Sequence, residues 1–410
     1  MSSATTTASS PAITPSTANL QPFAGGRTWI IGGGLGGLAL LAATFAGASV
    51  DPRQAMFSYL VAFAYWTGLG LGGLVLLMIM HAFRAKWVTV LRRLIETVTL
   101  VLPLMALLFI PIIVGIKHLY IWVDPPADMG REALKVLAHK HAYLNVTAFV
   151  VRTVVYFVLV IFLSQRLYGW STKQDRTGEV ALTQRQRSMG AGGLPFIALA
   201  FSFAAFDWMM SLNPLWYSTI FGVYYFAGSF VGVLSLLAVG SDLARGKGQF
   251  ADFLNAEHTH NIGKLMLAFT CFWAYIGFSQ LLLIWIANLP EEVPFYMVRF
   301  RAEWAWVGVF LIIGHFFVPF GALLSRSLKR DPRRLAAVGV WILLVHYLDI
   351  YWLVMPTLHP DGFSLHWTSV TAFVGVGLLA VAFAMWRARG RFTVPVRDPF
   401  LGDSLRYKQP

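Results

Sequence analysis

Ten stretches of apolar residues, each close to the length that carries a helix through a bilayer, constrain this chain more than any motif in it. They fall near residues 28–48, 56–81, 97–116, 142–164, 190–211, 215–239, 263–287, 303–324, 334–355 and 366–386. A spanning helix needs about 20 such residues, because a hydrocarbon core roughly 30 Å thick offers no water to an unpaired backbone group. Of 410 residues 57% are hydrophobic and 12% charged, too little charge to clothe a soluble globule of this size. The sequence therefore reads as an all-α integral membrane protein with ten transmembrane helices. In a soluble chain a net charge of +13 would suggest nucleic acid; here the basic residues lie in short connections between apolar runs, so no nucleic-acid partner is expected. The first run resembles a signal peptide ending at Ala46-Gly47-Ala48, but it exceeds the about 7 to 15 residues of a typical h-region and is kept as a helix.

Ten crossings put both termini on one side. Arg53, Lys117, Arg131, Lys135, Lys140, Arg299 and Arg301 fall on the other side, Arg152 lies within a run, and all remaining Lys and Arg share the side of the termini. The positive-inside rule then places both termini in the cytoplasm. Residues 1–26, uncharged and dominated by Ser, Thr, Ala and Pro, read as a disordered cytoplasmic tail, 27–390 as the membrane domain and 391–410 as a cytoplasmic C-terminal tail. The basic stretch Arg84 to Ile95 is expected to lie on the inner surface as an amphipathic helix. Clustered glycines (Gly32, Gly33, Gly36, Gly37; Gly68, Gly70, Gly72, Gly73) indicate close helix packing and not a nucleotide site.

The stretch Ser202 to Phe230 is an apolar hairpin broken once at Asn213-Pro214 and marked by Asp207, an acid that either serves a membrane-embedded site or reaches interfacial water. Counting along the runs places Arg152, His315 and His346 near mid-membrane, with Asp207 and Asp349 in the outer leaflet. His141, Asn145, Arg152 and Tyr156 share one face of the fourth helix, and the guanidinium needs a carboxylate, Asp349 or Asp207. Such a pair would either pin the bundle or form part of a proton path with His315, His346 and Asp349. Glu96 and His81, near the inner surface, are either solvated or the inner mouth of that path. Pro103, Pro111, Pro195 and Pro319 predict kinks. A weak repeat pairs Arg152 with His315 and Asp207-Trp208 with Asp349 to Trp352, grouping helices 2–5 and 6–9 into two four-helix bundles flanked by helices 1 and 10. The single Cys271 excludes a disulfide framework and any cysteine-held haem or cluster, and His258-Thr259-His260 lacks a third ligand, so no metal and no cofactor is assigned to this chain.

Three blocks carry a resemblance: FDWMMSLNPLWYSTIFGVYYFAG, the run from Ile262 to Tyr296 with its N-L-P-E-E string, and HFFVPFGALLSRSLKR from His315. Together they are similar to the NrfD/PsrC-like membrane subunits of alternative complex III, and the chain length resembles the shorter of the two. The resemblance covers helices 2 to 10. It implies a subunit of a quinol:electron-acceptor oxidoreductase in a bacterial inner membrane, beside a longer ActC-like sister subunit and subunits that carry haem c and iron–sulfur clusters. The family's quinol pocket implies a comparison with Lys117, His118, His141 and Asn145, where a neutral amide stands in place of a proton-accepting carboxylate. Three roles follow: a proton-conducting subunit, a quinol-binding catalytic subunit, and a structural anchor. A free-standing transporter is a distant fourth, since no broken helix pair is evident.

Overall fold

The computed structural model describes residues 22–246 and 253–408, so most of the expected N-terminal tail, and residues 409–410, lie outside the described residues. The described residues are all-helical in class, with ten helices long and apolar enough to cross a membrane. These are α1 (Arg27–Gly47), α2 (Pro52–Ala82), α3 (Lys86–Val114), α4 (Val146–Thr177), α5 (Ala181–Leu212), α6 (Phe221–Arg245), α7 (Ala256–Ala287), α8 (Ala302–Leu324), α9 (Pro332–Thr357) and α10 (Trp367–Ala388).

Local chemistry sets the ends. Asp51 caps α2 by accepting from the Gln54 amide at 2.9 Å, with Pro52 as first helical residue. Asp331 caps α9 in the same way, through the amides of Arg333 and Arg334. Asn145 starts α4 by accepting from the Ala148 amide, four residues later than the apolar run suggests. The hairpin turn is longer than its sequence implies: α5 ends in a short 3-10 turn, and α6 begins only at Phe221. Trp216 holds the intervening loop by stacking on Phe295 at 4.0 Å.

Contacts arrange α2, α3, α4 and α5 in one ring and α6, α7, α8 and α9 in another, while α1 packs on α10 and α10 on α2. The bundles meet along α2, α5, α6 and α9. α2 and α6 are apolar on all sides and buried, as helices at the centre of a bundle pair must be. Glycine permits their approach: a Cβ on Gly72 would lie 3.0 Å from the Ser229 carbonyl oxygen of α6, and one on Gly37 would lie 2.9 Å from the Gly375 carbonyl oxygen of α10. α3 is broken near Leu100 and again near Phe109 and Gly115, close to Pro103 and Pro111.

One expectation is corrected. Arg84 to Ile95 is not a single amphipathic surface helix: residues 86–91 form a 3-10 helix, and Arg92, Arg93, Ile95 and Glu96 are buried, whereas Arg84 and Lys86 are exposed. The segment after α10 is a packed strap. Asp398 binds Arg92, the Ser404 hydroxyl donates to the Trp87 carbonyl at 2.8 Å, and the Tyr407 carbonyl accepts from Asn255 at 3.0 Å.

Candidate functional site

The second bundle surrounds a buried carboxylate. Asp349, on α9, is 1% exposed. One oxygen accepts from the Tyr224 hydroxyl of α6 at 2.5 Å and the other from the Trp273 indole N–H of α7 at 3.1 Å. His346, one turn away on α9, places Nδ1 3.6 Å from Asp349 Oδ2, too far for a hydrogen bond. No Lys or Arg lies within ion-pair distance of Asp349 among the described residues. His315 lies parallel to His346 with ring centroids 5.9 Å apart and is edge-on to Trp273 at 4.1 Å. Both nitrogens of both histidines are buried with no hydrogen-bond partner among the described residues. Buried imidazole nitrogens of that kind are where ordered water is held.

Two backbone features make room for this cluster. Residues 312–317 of α8 form a π-helical turn that includes His315, and the Gly314 carbonyl there accepts from the Trp341 indole at 2.7 Å. Such turns put an extra residue into a helix and reorient the side chains around it. On α6, Gly228 and Gly232 face His346; a Cβ on Gly228 would lie 2.8 Å from its Cε1. Tyr224, Gly228 and Gly232 recur every four residues on one face, a signal present in the sequence and not used above.

The first bundle places its acid differently. Asp207, fully buried on α5, accepts from Arg152 Nε and Nη2, both at 2.9 Å, and from the Tyr156 hydroxyl at 2.8 Å. Arg152 also donates to the Tyr143 carbonyl and lies 3.7 Å over the Tyr143 ring. Of the two candidate partners of Arg152, the structure supplies Asp207. Arg152 sits six residues inside α4, which runs from Val146 to Thr177. Burial, and after it the Asp207 charge, raise the pKa of the nearby Tyr120 and Tyr143 hydroxyls. Arg152 and Asp207 thus belong to one bundle, and His315, His346 and Asp349 to the other.

Glu96 and His81 are not solvated. Glu96 lies at 0% exposure in an ion-pair network: Arg93 meets it at 2.6 Å, Arg92 meets it at 3.3 Å, and these arginines also bind Asp175 and Asp398 respectively. His81, buried at 9% exposure, lines a nearby cavity. At the far end of the molecule Lys117 and His141 are exposed, His118 is half-buried, and Asn145 is occupied as the α4 cap, donating back to the His141 carbonyl at 2.9 Å. His258 is likewise occupied: Nδ1 accepts from the Asn255 amide and Nε2 faces the Ser404 carbonyl, both at 3.1 Å. Among the described residues no group of three or more His, Cys, Asp or Glu is placed to hold a metal ion.

Sequence reasoning passed over Arg299. It is 3% exposed without a carboxylate, and its guanidinium donates to the carbonyls of Phe295, Trp352 and Leu353, the last two at the end of α9. Burial lowers its pKa to about 9, which leaves it a cation at neutral pH, suited to the negative end of that helix. Comparison of the whole chain with protein-family models and with curated proteins gives no match.

Proposed function

We propose that this chain is the shorter, ActF-like member of the NrfD/PsrC-like pair in an alternative complex III, multi-pass in a bacterial inner membrane with both termini cytoplasmic. In this reading it anchors the subunits that carry haem c and iron–sulfur clusters and conducts protons through its second bundle. The observation that supports proton transfer is Asp349, a buried carboxylate oriented only by neutral donors and neighboured by two histidines with unbonded nitrogens. A carboxylate locked to a guanidinium stays ionised, whereas one held by a phenol and an indole can change protonation without leaving an opposite charge stranded. The proposed route runs from His315 and His346 at mid-helix, by way of ordered water, to Asp349 and Tyr224 one turn nearer the far face.

Quinol oxidation within this chain has less to support it. Asn145 is used as a helix cap, and an amide cannot accept a quinol proton. Docking of partner subunits suits the far face, where the helix Arg131–Lys140 buries none of its residues.

The test is Asp349→Asn in the complete complex, reconstituted into liposomes. Assembly and quinol turnover near wild type, with a lower proton-to-electron ratio, are the expected results. An unchanged ratio at normal turnover would leave the chain as an anchor. Loss of turnover together with loss of bound quinone would favour the quinol-binding reading.

A further inference from the structure

The face that carries the termini holds a second site, built from cations. A cavity of about 270 Å³ opens between the ends of α2, α3 and α5 and the strap at Pro399–Phe400. His81, Arg84, Thr89, Arg92, Thr183 and Arg187 line it, and none of its lining residues is acidic. The cations differ in state. Arg92 is compensated by Glu96 and Asp398, whereas Arg84 and Arg187 have no side-chain acceptor among the described residues. His81 Nε2 is buried there with no partner. Thr183 Oγ1 accepts from Gln174 at 2.7 Å, so its own hydrogen remains available to donate.

Arg84 also stands where a glycine or asparagine is usual. Its φ is 52°, in the left-handed region, fixed by its amide donating to the His81 carbonyl at 3.3 Å and the Ala85 amide donating to the Met80 carbonyl at 3.0 Å. Val180, which lines the cavity, is 65% exposed and gives it an apolar edge.

We infer that this cavity binds a phosphate group, with Arg84 and Arg187 as the charged donors and His81 and Thr183 as supporting donors. Guanidinium forks match phosphate oxygens in geometry, and two uncompensated guanidiniums suit an anion. The position at the helix ends and the apolar rim favour a phospholipid headgroup whose chains leave along the bilayer, over a free phosphate.

Purified protein in its native assembly, delipidated and returned to nanodiscs, provides the test. Native mass spectrometry would count bound phosphatidylglycerol against phosphatidylcholine. Wild type should retain the anionic lipid in preference, and Arg84→Gln and Arg187→Gln should each lower its binding about fivefold. Arg185→Gln, exposed on the same helix but outside the cavity, should leave it unchanged. Inorganic phosphate at millimolar concentration that displaces the lipid, or binds without it and with the same dependence on Arg84 and Arg187, would assign the site to free phosphate. Equal retention of both lipids by wild type, with no arginine-dependent phosphate binding, would overturn the inference without touching the proton reading of Asp349.

Discussion

Asp207 in the first bundle and Asp349 in the second are both buried, and the two are held in opposite ways. Asp207 meets a guanidinium through two parallel hydrogen bonds and a tyrosine hydroxyl through a third. Asp349 meets a tyrosine and a tryptophan and, among the described residues, no Lys or Arg. In the first bundle charge cancels charge, and two parallel hydrogen bonds fix the geometry. In the second, among the described residues, neutral donors alone hold the carboxylate. The groups that helices 4 and 8 supply, Arg152 and His315, therefore differ in chemistry: Arg152 is ion-paired, and His315 has no hydrogen-bond partner among the described residues.

The sharpest way to break this contrast is Asp207→Asn. It strands Arg152, and unfolding measured in detergent should show a loss of about 3 kcal/mol, the low end for a broken buried pair because the Arg152 side chain is 21% exposed. The double change Arg152→Met with Asp207→Leu should recover most of that loss. Next in size is Gly228→Ala, whose new methyl would press on His346 Cε1 at 2.8 Å; about 2 kcal/mol of overpacking is expected, read as a lowered Tm. Tyr224→Phe removes one donor to a carboxylate without opening a cavity and should cost about 1.5 kcal/mol in the same assay. Asp349→Asn should move stability by less than about 1 kcal/mol, because no buried cation loses its partner. If Asp207→Asn and Asp349→Asn proved equally destabilising, the distinction between the two bundles would fall.

The ten spans and their grouping were legible because bilayer length and apolar content are properties of single segments. So were the tight glycine contacts and the candidate partner Asp207. The strap was not: nothing local in Asp398 or Ser404 announces that they return to Arg92 and Trp87, and such pairing over some 300 residues has no periodic signature. Arg92, Arg93 and Glu96 read as surface charges for the same reason, since their counter-ions Asp175 and Asp398 arrive from distant segments. α4 starts four residues inside its apolar run because Asn145 caps it there, and cap geometry outweighs hydropathy. The π-turn at His315 left no trace in composition, because it depends on what Trp341 offers from a neighbouring helix.

The strap also bears on how the molecule is made. Asp398, Ser404 and Tyr407 leave the ribosome after α10, yet they close contacts with Arg92, Trp87 and Asn255, all made earlier. Arg92 has Glu96 as its companion from the start and receives its second acid only after α10 has been made. Insertion and completion are thus separate events in time, and a chain cut short before Asp398 would carry all ten spans while leaving one end of the bundle unlatched.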